Sequence, residues 1–148
     1  MAFKQPSTEG LAHDFLWCCS KVLPERGRIG IFNRCCYEDV PVVRVHPQLR
    51  AHRDAGTAEK PPEHVWRNRY EDINAFECHL HRHGTRIVKL FLHVSEEVQK
   101  RRFLERLDGP AKYWKSSAAD RAERRRWAEC RAAYEEAPTA TSTPWAPW

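Results

Sequence analysis

The chain has 148 residues, room for one domain, and its 41% hydrophobic and 30% charged residues are those of a soluble globular protein rather than a disordered or membrane-embedded one. A formal net charge of +5 favours acidic partners such as phosphate chains or nucleotides without selecting among them. The first residues carry no apolar run of signal-peptide length, and no segment approaches the roughly 20 apolar residues of a spanning helix, so a cytoplasmic location without membrane partners is expected.

In chain order, residues 13–23 place Phe15, Leu16, Cys19, Val22 and Leu23 at near-helical spacing and end at Pro24, which predicts a helix entering a turn. Ile29, Gly30, Ile31 and Phe32 form a short apolar run that stops at Asn33 and Arg34, the pattern of a buried strand with chemistry at its carboxyl end. Residues 50–62 hold Gly56, Thr57, Pro61 and Pro62 among charged neighbours and predict a surface loop. Tyr70, Ile73, Phe76 and Leu80 then recur on one helical face, and Gly84 suits a left-handed C-terminal cap. Ile87, Val88, Leu90, Phe91, Leu92 and Val94 predict a second buried strand, and Ser95 followed by Glu96 and Glu97 predicts a helix start. Beyond it, arginines and lysines dominate a helical region that breaks between Asp108 and Ser117, where Ser117 and Asp120 form a capping-box pattern. The resulting division is a partial α/β core (1–95), a helical lid region (96–137) and a tail (138–148).

Six cysteines stand at positions 18, 19, 35, 36, 78 and 130 with no CxxC spacing, and reduced thiols are expected. Cys78, His79, His81 and His83 share one segment, but their spacing does not converge four ligands on a point, so no protein-held metal is expected there. The arginine cluster 124–126 has no nucleic-acid recognition motif beside it, and no nucleic-acid partner is expected.

Longer stretches are more specific. GRIGIFNR at 27–34, YEDV at 37–40, VVRVH at 42–46, RNRYEDINAFE at 67–77, KLFLHVS at 89–95, QKRRFLERL at 99–107, PAKYWK at 110–115, SAAD at 117–120 and TSTPWAPW at 141–148 together resemble the polyphosphate kinase 2 family. The resemblance implies an α/β fold of the P-loop kinase (thymidylate-kinase-like) type, a parallel sheet flanked by helices with a helical lid. It also implies phosphoryl transfer between inorganic polyphosphate and nucleoside mono- or diphosphates, with magnesium bound alongside the substrate phosphates, and a family-like homo-oligomer.

On this resemblance Asn33 and Arg34 match a Walker-B-like segment as it leaves its strand, and Arg34 is the leading candidate for holding phosphate. Lys4 matches a family lysine near the same pocket, and Arg106, Lys112 and Lys115 match the basic lid that holds phosphates and excludes water. Glu38 is a weaker candidate for ordering metal or acceptor, since an acid in a first helical turn also suits the helix dipole. Trp114, Trp127 and Tyr134 are expected to pack within the lid.

The resemblance also sets expectations about what the 148 residues do not contain. No GxDGxGK-type loop is present among the six glycines, so the central P-loop strand, and at the far end a last strand, are expected to be missing. Turnover by this chain alone is accordingly expected to be negligible, and a non-catalytic remnant that binds polyphosphate or an intact homologue through its basic lid is the alternative. Pro41 and Pro138 are expected inside helices, where proline costs roughly 3 kcal/mol.

Overall fold

A computed structural model of the chain describes residues 7–34, 36–46, 62–108 and 124–148. Six helices occur among them: α1 (Thr8–Leu11), α2 (Trp17–Ser20), α3 (Cys36–Val45), α4 (Pro62–Arg82), α5 (Glu96–Asp108) and α6 (Trp127–Thr141). The longest, α4, follows from the apolar face read in the sequence: Ile73 is fully buried, Tyr70 is buried, and Val65 and Trp66 extend the same stripe one turn earlier. It stops where expected. Gly84 adopts φ 87, the amide of Thr85 reaches the Leu80 carbonyl at 3.0 Å and that of Gly84 reaches His81 at 3.0 Å, satisfying carbonyls that the last turn leaves open.

Helix α3 lies against α4 and α6, and these three build the core. Val40 and Val43 of α3, Ile73 of α4 and Ala137 of α6 meet with Cys19 and Cys36, while Phe15, Leu16, Tyr37 and Phe76 close the cluster from its edges. Small residues on α6, Ala133 and Ala137, allow that helix to approach closely. Thus α6, which falls mostly in the segment expected to be lid, contributes to the central packing. Buried Arg69 is accommodated by setting its guanidinium over the rings of Phe15 at 4.9 Å and Trp66 at 5.7 Å.

The two expected strands are not assigned among the described residues. Residues 29–32 and 87–94 belong to no strand among the described residues, where Asn33 takes part in a bridge and another bridge joins Thr143 to Ala146. A strand is defined by its neighbour's hydrogen bonds, so an apolar run in one segment does not by itself establish one. The parallel sheet is therefore not seen in the described residues. The helix expected over 13–23 is also shorter, because the Asp14 carboxylate accepts from the amides of Leu16 at 2.8 Å and Trp17 at 3.1 Å and so starts α2 late. Residues 50–61 of the expected loop, and the capping box of Ser117 and Asp120, lie outside the described residues.

Ser95 caps α5 as expected, accepting from the amide of Val98 at 3.3 Å. The backbone amide of Glu97 itself, and after it the Ser95 hydroxyl, hold the exposed Glu97 carboxyl below its ordinary value. Pro41 and Pro138 do lie inside α3 and α6. Each removes one amide from the helical ladder, but Pro41 is fully buried in the core whereas Pro138 is only half-buried. Pro138→Ala is therefore expected to restore a helical hydrogen bond with little loss of packing, stabilising the chain by about 1–3 kcal/mol in urea denaturation. No gain would mean that α6 has already adjusted to the ring.

Candidate phosphate site at the start of helix α3

The segment leading into α3 combines an unusual backbone with an uneven charge distribution. Arg34 has φ 62, the left-handed region that costs a residue with a Cβ roughly 1 kcal/mol or more. Its guanidinium is largely exposed and approaches Glu38 Oε2 at 3.6 Å, one turn into the helix. Burial raises the Glu38 carboxyl above its ordinary value, against the opposing pull of Arg34. Tyr134 of α6 senses the same pair: its hydroxyl is pushed up to about 12, first by burial and then by the Glu38 charge, with Arg34 pulling the other way. An exposed fork of donors thus stands over a half-buried carboxylate and a neutral phenol. Such a fork can take two oxygens of a phosphate at once.

Behind this segment lies a polar knot that the sequence reading missed. Lys89 Nζ is buried and donates to Glu77 Oε2 at 2.8 Å, to the Thr141 carbonyl at 2.6 Å and to the Tyr37 hydroxyl at 3.1 Å. The Tyr37 hydroxyl in turn donates to the other oxygen of Glu77, so all three ammonium protons and both carboxylate oxygens have partners. The Trp148 ring closes the knot, edge-on to Tyr37 with centroids 5.0 Å apart, and its indole N–H donates to Thr141 Oγ1 at 2.8 Å. One buried ammonium thereby ties α3, α4, α6 and Trp148 to the segment 87–94. The signal for it was present, since Lys89 is the lone cation in an apolar run and a buried cation requires an anion. The identity of that anion was not readable from spacing.

Of the residues expected to hold phosphate, Arg34, Asn33 and Glu38 are together at the start of α3. Arg106 is exposed near the end of α5 with its guanidinium over Phe103 at 5.5 Å, and no described contact joins it to Arg34. Lys4, Lys112, Lys115 and Trp114 lie outside the described residues. Trp127 and Tyr134 are half-buried on α6. His79 and His83 lie with ring centroids 4.5 Å apart, yet no group of three or more His, Cys, Asp or Glu suited to a metal occurs among the described residues. The five described cysteines are free thiols. No described helix is long and apolar enough to cross a membrane.

Among the described residues, then, the chain is a helical core with a left-handed, exposed arginine paired to Glu38 at the start of α3. The profile of the polyphosphate kinase 2 family matches residues 1–148, and the chain belongs to that family. It is 49% identical over 147 residues to an ADP-polyphosphate phosphotransferase of Rhodopseudomonas palustris, covering 99% of this chain and 51% of that protein. It is 42% identical over 147 residues to an AMP/ADP-polyphosphate phosphotransferase of Meiothermus ruber, with coverage of 99% and 51%. The crystal structure of polyphosphate kinase 2 from Arthrobacter aurescens TC1 superposes with a TM-score of 0.87 at 42% identity, covering all of this chain and 48% of that one. The chain spans about half the length of the curated relatives it matches.

Proposed function

We propose that this chain is the phosphate-gripping half of a polyphosphate:nucleotide phosphotransferase, with Arg34 as its principal phosphate ligand and Lys4, Arg106, Lys112 and Lys115 as supporting cations. The observation that carries the reading is Arg34 itself: an exposed arginine held in a left-handed conformation beside a half-buried carboxylate, at a position the sequence resemblance assigns to phosphate. In the reaction, a phosphate oxygen of a nucleoside mono- or diphosphate attacks the terminal phosphorus of polyphosphate. A new P–O bond forms, the bridging P–O bond breaks, and the shortened polyphosphate leaves with the electron pair. Negative charge gathers on non-bridging oxygens throughout, and a guanidinium that is always protonated offsets it without proton transfer.

Magnesium in such a reaction supplies charge neutralisation on the phosphate oxygens. Here Glu38 is paired with Arg34 and half-buried, so it suits an ion carried mainly by substrate oxygens rather than one caged by protein.

Polyphosphate binding and turnover separate the parts of this reading. The purified chain is expected to bind polyphosphate in a salt-sensitive manner and to phosphorylate AMP, ADP or GDP no faster than background, because no glycine-rich phosphate loop occurs in its sequence. Absence of binding at low salt removes Arg34 and its neighbours as a phosphate site. Measurable polyphosphate-dependent ATP or GTP formation overturns the expected inactivity, and displacement of polyphosphate by DNA at equal charge points to a general polyanion surface instead.

A further inference from the structure

We propose that Tyr37, on the reading of Arg34 as the phosphate ligand, is a positioning residue: its hydroxyl, clamped by the buried pair of Lys89 and Glu77, fixes the first turn of α3 and so holds Arg34 in its left-handed conformation. A residue with a Cβ stays at φ 62 only where its surroundings over-determine the backbone. The start of α3 is fixed on two sides. The amide of Cys36, the first residue of the helix, donates to Cys19 Sγ at 3.3 Å inside the core. One residue on, the Tyr37 hydroxyl accepts from Lys89 Nζ at 3.1 Å and donates to Glu77 Oε1.

The clamp on Tyr37 is directional because both of its partners are charged and buried. The other two ammonium protons of Lys89 go to Glu77 Oε2 at 2.8 Å and the Thr141 carbonyl at 2.6 Å. Moving the Tyr37 hydroxyl therefore strips one partner from the ammonium and one from the carboxylate inside the protein, where each is costly to lose. The ring is held as well, edge-on to Trp148 with centroids 5.0 Å apart. Tyr37 is three residues from Arg34 and adjacent to Glu38, which pairs with Arg34 at 3.6 Å, so a shift of this first turn moves both members of that pair. Tyr37 is neutral and its hydroxyl is committed to Lys89 and Glu77, so its effect on a bound anion passes through Arg34.

The test is a double-mutant cycle on the whole chain, read by calorimetric titration with inorganic polyphosphate at low salt, with circular dichroism checking the fold of each variant. Tyr37→Phe is expected to weaken binding about three- to tenfold. Once Arg34→Ala has removed the guanidinium, the same change is expected to weaken it less than about twofold. A merely structural role gives the same factor in both backgrounds. Val43→Ala, which opens a cavity on α3 away from its first turn, is expected to lose stability and yet to bind as the parent chain does. Where Tyr37→Phe does not fold, Trp148→Leu takes its place in the cycle, since Trp148 is half-exposed and its loss frees the Tyr37 ring. The proposal is overturned by parent-like binding of Tyr37→Phe, by equal losses in both backgrounds, or by a Val43→Ala loss as large as that of Tyr37→Phe. Failure of the parent chain to bind polyphosphate removes Arg34 as the ligand and Tyr37 with it, whereas binding that Arg34→Ala weakens and Tyr37→Phe leaves intact removes Tyr37 alone.

Discussion

Lys89→Met is expected to destabilise the chain by about 3–5 kcal/mol, because it leaves the Glu77 carboxylate buried without its counter-charge. Among the described ion pairs it is the most buried, so such a cost applies to it. Its side chains are 4% and 7% exposed, whereas Arg67 and Glu71, or Arg101 and Glu105, pair on open helix faces and contribute little. Removing Lys89 also strips a donor from the Thr141 carbonyl and from the Tyr37 hydroxyl. The double variant Lys89→Met with Glu77→Gln is expected to recover about 2 kcal/mol of the loss, since a neutral amide can still meet the Tyr37 hydroxyl.

Urea denaturation of the single and double variants gives the comparison. A Lys89→Met deficit under about 1 kcal/mol, or no recovery in the double variant, means that water reaches the knot and the pair is a surface one.

What the sequence disclosed about the fold depended on how local each feature is. Helix α4 was legible because Tyr70, Ile73, Phe76 and Leu80 and the Gly84 cap lie within one segment, and the start of α5 because Ser95 and its acids do. Residues 29–32 and 87–94 were legible as apolar runs, while whether such a run becomes a strand is decided by a partner elsewhere in the chain. The polar knot was the least legible, because its members at positions 37, 77, 89, 141 and 148 meet only after three helices have packed. At the site, family motifs placed Arg34 and Glu38 at the start of α3. Motifs said nothing of the left-handed backbone at Arg34, which no residue type in FNRC announces.

That backbone supplies the second large effect, in which stability and binding move in opposite directions. Arg34→Gly is expected to leave stability unchanged or to raise it by up to about 1 kcal/mol, since glycine adopts φ 62 without a Cβ clash and offsets its larger unfolded-state entropy. The exposed ion pair with Glu38 is too weak to reverse this. Polyphosphate affinity is expected to fall about 10- to 100-fold in the same variant, the loss of a charge-assisted contact of roughly 1.5–3 kcal/mol. Arg34→Ala separates the two causes: it forfeits the guanidinium equally but keeps the strained backbone, so it is expected to bind as poorly as the glycine variant and to be the less stable of the two. Strain retained at an exposed arginine is explained only if the conformation aims the guanidinium at something. Titration with polyphosphate alongside urea denaturation of both variants decides the matter: undiminished binding by Arg34→Gly removes Arg34 as the ligand, and equal stability of the two variants removes the strain that points to it.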